Sequence, residues 1–146
     1  MSAVFVVADA SALLKWYLSE DEPYRDQALL LLDRFRSGNI RILLPELALY
    51  ELGNRLIRLS ESGLQLFADV VDLLTDVVPF EPGDLKLIAR SAVRLRGCGL
   101  KKITMYDCAY LHLARLADSP LITADRLQAD AAKSMGIAGV LIADYR

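Results

Sequence analysis

Short apolar segments rich in β-branched residues alternate with longer amphipathic ones along the chain, and this alternation is what most limits the folds open to it. Residues 3–8 (AVFVVA), 40–44 (IRILL), 76–80 (DVVPF), 120–123 (PLIT) and 140–142 (VLI) have strand length and strand composition. Between them lie a short helical pattern over 11–19 and helices over 24–36, 46–59, 64–75, 82–96, 104–117 and 126–135. Ser37-Gly38-Asn39 is a helix stop, Pro45 suits the first turn of the helix after it, and Ser62-Gly63 and Gly97/Gly99 break two more. Pro79 moves the third strand towards a sheet edge, because a proline cannot donate to a ladder. Apolar strands separated by helices predict an α/β fold, with a parallel sheet covered on both faces.

With 146 residues the chain is expected to form a single domain over 1–146, long enough to close a sizeable core. Its hydrophobic content of 54% implies segments buried on more than one side. No apolar run approaches the ~18 residues a membrane span requires. Asp9 interrupts the first apolar stretch, and no basic region precedes it, so the pattern is not that of a secretory signal and a cytoplasmic location is expected. Cys98 and Cys108 fit neither a redox pair nor a zinc knuckle and are expected to be small buried residues. The net charge of −2 argues against polyanion binding by bulk electrostatics, so any such partner must be met locally.

Four acids stand out by position. In a parallel sheet the functional crevice lies beyond the carboxyl ends of the strands, where strand order reverses. Asp9 follows the first strand directly, and Asp125 follows the fourth after Thr123 and Ala124. If those strands are neighbours, the two carboxylates meet. Asp107 falls in the first turn of its helix, on an apolar stripe with Tyr110, Leu111 and Ala114, an expensive place for an unpartnered charge. Glu51 is mid-helix, with Asn54 one turn on.

Each acid also has an ordinary structural reading. Asp9 or Ser11 can cap the first helix, Thr104 with Asp107 and Asp125 with Gln128 have capping-box spacing, and Glu51 with Arg55 has the spacing of a helical ion pair. It is the coincidence of the acids with strand-end positions that favours a joint role.

The segments Asp9-Ala10-Ser11-Ala12-Leu13-Leu14-Lys15-Trp16, Pro45-Glu46-Leu47 with Glu51, Thr104-Met105-Tyr106-Asp107 and Thr123-Ala124-Asp125 together resemble the successive motifs of PIN-domain ribonucleases, in particular VapC-type toxins. The order and spacing, over nearly the whole chain, carry the resemblance; no one motif would. It implies a three-layer α/β/α sandwich with a Rossmann-like sheet of about five parallel strands, the first and fourth adjacent. It also implies a metal-dependent endoribonuclease whose catalytic and metal-binding acids are Asp9, Glu51, Asp107 and Asp125. Cys108 stands where the family most often has alanine. A further acid sometimes found after the fourth motif has no match, since Gln128 is an amide and Asp130 is displaced.

Hard oxygen ligands with no histidine beside them suit Mg²⁺, or Mn²⁺, better than zinc. Asp9 and Asp107 are expected as primary ligands, with Glu51 and Asp125 completing the site and Ser11, Asn54 and Thr123 holding waters or a phosphate oxygen around it. The metal would lower the pKa of a bound water and neutralise phosphate charge during in-line attack on an RNA phosphodiester. His112, the only histidine, excludes a two-histidine ribonuclease and is expected to be structural.

Lys15, Arg55, Arg58, Lys101 and Lys102 are candidates for RNA contact, although basic clusters are more often solvated faces. Trp16 is expected to pack beside the first strand. The resemblance further implies a small antitoxin that lays a helix across the groove and points a basic side chain at the acids, together with a homodimer. The helix over 24–36, with its run Leu29 to Leu32, would suit either a shared surface or the core. A phosphotransfer domain of receiver or dehalogenase type is a poorer match: receivers need two acids upstream of the phosphorylated one, and dehalogenases need an Asp where this chain has Ser11. A non-catalytic PIN module that only binds RNA or a partner is the nearer alternative, and the presence of all four acids counts against it.

Overall fold

A computed structural model describes residues 2–146. Among them five parallel strands, β1 (Val4–Ala8), β2 (Ile40–Pro45), β3 (Val77–Val78), β4 (Leu121–Thr123) and β5 (Gly139–Leu141), form one sheet in the order β3-β2-β1-β4-β5. The helices are α1 (Ala10–Leu13), continued by a 3₁₀ turn Leu14–Trp16, α2 (Arg25–Arg36), α3 (Leu47–Leu59), α4 (Gly63–Leu73), α5 (Pro82–Gly97), α6 (Met105–Leu116) and α7 (Arg126–Ser134), and a 3₁₀ turn Ile142–Asp144 follows β5. They cover both faces of the sheet in a three-layer α/β/α sandwich. Among the described residues no helix is long and apolar enough to cross a membrane.

Successive strand residues point to opposite faces, so the burial of Val6, Val7 and Ala8 in β1 and of Leu121, Ile122 and Thr123 in β4 requires cover on both sides. The two strands lie side by side, with Val7 opposite Leu121 and Ala8 opposite Ile122. From β1 the chain builds outwards through β2 and β3 on one side and through β4 and β5 on the other, which makes the gap between β1 and β4 the switch point. The first strand is less buried than its composition predicts: Val4 and Phe5 are exposed, and the Arg41 guanidinium lies 5.2 Å from the Phe5 ring centre.

Pro45 ends β2 and does not open α3. The N–H groups of Leu44 and Glu46 bond to Asp76 and Val78 in and beside β3, so the missing N–H of Pro45 faces the β1 side, where β1 has already ended. β3 is a two-residue edge strand followed by Pro79, as the proline requires. Trp16 is buried, stacks on Phe35 and donates its indole N–H to the Ala28 carbonyl at 2.7 Å. Leu31 of α2 is fully buried and Leu30 and Leu32 pack against the same core, so most of that leucine run faces inward. Cys108 is buried as expected, but Cys98 is exposed, because it sits at the C-cap of α5, just before the left-handed Gly99.

Candidate active site

Asp9 is the first residue beyond β1, and its N–H bonds to the Ile122 carbonyl of β4 at 3.1 Å, which places it over the switch point. It is also the N-cap of α1, since Oδ1 accepts from the Ala12 N–H at 3.1 Å. The Ser11 hydroxyl donates to Oδ1 and the Thr123 hydroxyl to Oδ2, each at 2.6 Å. Ser11 in turn accepts from the Ala124 N–H and Thr123 from the Asp125 N–H, both at 3.0 Å. These side chains therefore join the ends of β1 and β4 around a carboxylate that is only 4% exposed. Burial pushes the Asp9 carboxyl up to about 6, against the three hydrogen bonds that favour its charged form, and Glu51 pushes in the same direction.

Glu51 projects from α3, half-buried. The ion pair that its spacing with Arg55 would allow is not formed; Oε1 accepts from the Tyr110 hydroxyl at 2.7 Å. Burial raises its pKa, the Tyr110 hydrogen bond opposes this, and the charge of Asp107 adds to the rise. Glu51 thus lies within electrostatic reach of both Asp9 and Asp107. Asp107 forms the predicted capping box: its N–H donates to Thr104 Oγ1 at 3.2 Å, and its Oδ2 accepts from the Thr104 N–H and hydroxyl at 3.0 and 2.9 Å.

Asp125 is placed differently. It is exposed and caps α7, its Oδ1 accepting from the Leu127 N–H at 2.9 Å. The capping box expected with Gln128 does not form. Gln128 is buried, with its amide 3.2 Å from the Thr123 hydroxyl and donating at 3.2 Å to the Asp107 carbonyl. It ties α7 to α6.

Glu51 therefore links Asp9 and Asp107 electrostatically, whereas Asp125, close in sequence to Thr123, is turned into its own helix. Among the described residues no three histidine, cysteine, aspartate or glutamate side chains converge closely enough to hold one metal ion as they stand. Both oxygens of Asp9 and one of Asp107 are engaged in local hydrogen bonds instead. In chemistry, however, the donors fit a hard divalent cation. They are all carboxylate oxygens, Asp9 is buried, and no lysine, arginine or histidine pairs with Asp9, Glu51 or Asp107 among the described residues.

Beside Glu51 a cleft of about 320 Å³ is lined by Ala10, Ser11, Leu14, Glu51, Asn54 and Arg55. Asn54 and Arg55 thus share this cleft with Glu51. Lys15 does not: it is buried, and its ammonium bonds to Glu22 and the Pro23 carbonyl at 2.8 Å each, so it is withdrawn from any RNA surface. His112 lies outside the cluster, with Nε2 2.8 Å from Asp84 and its ring edge-on to Phe80.

Tyr110 is the site residue that the sequence reading missed. Its ring is buried, and its hydroxyl donates to Glu51 while accepting from the Ala10 N–H at 3.3 Å. A signal was present: a tyrosine one turn after Asp107 on a buried stripe must find a partner for its hydroxyl.

The architecture and the position of the acids define a parallel α/β protein with an acidic centre at its switch point. Residues 6–134 match the PIN domain family, and the chain belongs to it. None of the curated proteins compared with the chain matches it. Several solved structures are similar in fold. PAE2754 from Pyrobaculum aerophilum superposes with a TM-score of 0.59 at 24% identity, over 96% of this chain and 92% of the other. FitAB bound to an IR36 DNA fragment gives 0.72 at 14% identity, over 94% of each. VapBC2 from Rickettsia felis, bound to a DNA fragment from their promoter, gives 0.63 at 14% identity, over 94% and 98%.

Proposed function

We propose that this PIN domain is a divalent-metal-dependent endoribonuclease of the VapC type, the toxin of a toxin–antitoxin pair. The observation that carries the reading is Asp9: a buried carboxylate at the switch point, without a counter-cation among the described residues, in electrostatic reach of Glu51, which is itself in reach of Asp107. Carboxylates gathered without a basic partner raise one another's pKa, and a divalent cation is the ligand that relieves all of them at once. Asp9, Glu51 and Asp107 would hold Mg²⁺ or Mn²⁺, with Asp125 reaching it if its side chain leaves the α7 cap. When bound, the metal supplies Lewis-acid activation of water and charge neutralisation at phosphate.

The chain's own residues do the rest. Ser11 and Thr123 fix both oxygens of Asp9, and Tyr110 fixes Glu51. Asn54 and Arg55, on the cleft beside Glu51, would hold a phosphate or ribose of the RNA. The same cleft would accept a basic side chain from an antitoxin. The fold likeness to FitAB and VapBC2 supports that partner. A second apolar cleft of about 430 Å³ between α3, α5 and α6, with Leu85, Met105 and Tyr106 exposed around it, supports the homodimer. We read the location as cytoplasmic.

Purified protein incubated with single-stranded RNA should cleave it with Mg²⁺ or Mn²⁺ and stop on addition of EDTA. Asp9→Asn and Asp107→Asn should abolish cleavage and the thermal stabilisation produced by metal. Cleavage that persists in EDTA, or is unchanged in both variants, would refute the proposal.

A further inference from the structure

On the side of α6 that faces α5, a cleft of about 290 Å³ is lined by Leu87, Arg90, Ser91, Arg94, His112 and Arg115. Its walls carry three guanidinium groups, and no carboxylate lies within ion-pair distance of any of them among the described residues. In a chain with 19 acids and 17 lysines and arginines, three unpaired arginines on one cleft are a local excess. Lys86, Arg90 and Arg94 recur at every fourth position of α5, so like charges stack along one face, an arrangement that weakens the helix. The macrodipole accounts for Arg94 and Arg96 in the last turn of α5 but not for Lys86 and Arg90, which lie nearer its start and middle.

The floor is apolar, and His112, nine-tenths buried, lines it. The imidazole uses Nε2 against Asp84, at 2.8 Å. Arg115 is anchored by a 2.9 Å hydrogen bond from Nη2 to the Met135 carbonyl and leaves its remaining donors free. An apolar floor rimmed by guanidiniums suits a base seated on the floor and phosphates on the rim, and residues one helical turn apart are separated by about 6 Å, close to the spacing of successive phosphates in an extended strand. Along α6, Arg115 lies eight residues, or about 12 Å, beyond Asp107.

We propose that the α5–α6 cleft is a secondary RNA-binding site, in which Arg90, Arg94 and Arg115 hold phosphates of a single strand a few nucleotides from the bond cut at the acids. This rests on the reading of the chain as a ribonuclease. Arg90 and Arg94 are exposed, so their replacement leaves the core intact.

The test uses the full chain carrying Asp9→Asn, so that RNA is bound and not cut, with a labelled 20-nucleotide single strand followed by fluorescence anisotropy across a salt series. Arg90→Gln with Arg94→Gln should weaken binding by about tenfold at moderate salt and lower the salt slope by about 1.4, since each phosphate contact on a single strand contributes about 0.7. Arg36→Gln, on an exposed position of α2, should change neither. An unchanged slope in the double variant overturns the proposal, as does failure of the Asp9→Asn protein to bind RNA. So does loss of binding to a poly-glutamate peptide with RNA affinity intact, which would assign the cleft to an acidic protein. Cleavage by the wild-type chain is scored separately: a nuclease whose slope does not move loses this site alone, and a chain that binds with the expected slope but never cleaves loses only the nuclease reading.

Discussion

The Tyr110 hydroxyl donates to Glu51 Oε1 at 2.7 Å and accepts from the Ala10 N–H at 3.3 Å, so one buried phenol joins α6, α3 and the start of α1. The carboxylate it holds lies within electrostatic reach of Asp9 and Asp107. Tyr110→Phe keeps the ring and its packing but frees Glu51 and leaves the Ala10 N–H without its partner. The loss to stability should be about 1–2 kcal/mol, read as a lower midpoint in urea. Cleavage should fall by about 10- to 100-fold, with a higher Mg²⁺ concentration needed for half-maximal rate. If the metal dependence is unchanged, Tyr110 is only a packing residue.

Asp9 gives the metal-free protein a pH dependence of definite sign. Its pKa is raised from 3.8 to about 6 on folding, so between those values the folded state holds a proton that the unfolded state has lost. Stability from this group is therefore greatest below pH 4 and declines as pH rises to about 6, by up to about 3 kcal/mol. Asp9→Asn removes the decline. Its amide can accept from Ser11 and Ala12 and donate to Thr123, whose hydroxyl then turns to Gln128 Oε1 at 3.2 Å. In EDTA at pH 8 the variant should melt above the wild type, and Mg²⁺ should narrow the gap by stabilising only the wild type. A variant that melts lower at pH 8 would show that the buried charge is not strained.

Asp107 closes the capping box of α6 and Asp125 caps α7, and of the two it is Asp107 that acts electrostatically on Glu51. Asn is as good an N-cap as Asp, so Asp125→Asn should leave stability within about 0.5 kcal/mol of wild type. Cleavage by that variant should fall less than by Asp107→Asn, for which a loss of at least about 100-fold is expected. Equal losses in single-turnover cleavage would mean that Asp125 leaves its cap to join the metal site.

The sheet was legible because its strands are apolar on both faces and separated by helices, a pattern that few folds share. The adjacency of β1 and β4 could be anticipated only through the family resemblance, since nothing local in AVFVVA or PLIT selects a neighbour. Asp9 and Asp107 were legible as acids at a strand end and a helix start, and Thr104 announced the capping box. What the sequence could not convey was direction. Lys15 looked free and is buried against Glu22, Glu51 has the spacing to pair with Arg55 but bonds to Tyr110, and Gln128 has the spacing of a capping box but turns inward. Each of these depends on contacts between residues remote in the chain, or on a loop such as 17–24, whose path local pattern does not fix.

Gly63 opens α4 directly after the break that follows α3, and it is fully enclosed there. A Cβ at this position would land on the Leu56 carbonyl oxygen and within 2.8 Å of the Ile57 Cα. Both obstacles are backbone, so neither can swing aside as a side-chain tip would. The backbone of Gly63 is not left-handed, which means that close approach alone, and not conformational freedom, demands glycine here. Gly63→Ala must therefore push α4 away from α3, at a cost of about 2–3 kcal/mol. At Gly53 a Cβ would meet the Phe67 ring at 3.1 Å, a softer contact because a ring can tilt. Gly53→Ala should cost less than Gly63→Ala in a chemical denaturation series. Because α3 also carries Glu51, displacement at Gly63 should lower cleavage as well, whereas a Gly63→Ala protein of wild-type stability and activity would mean that the α3–α4 junction is looser than its geometry requires.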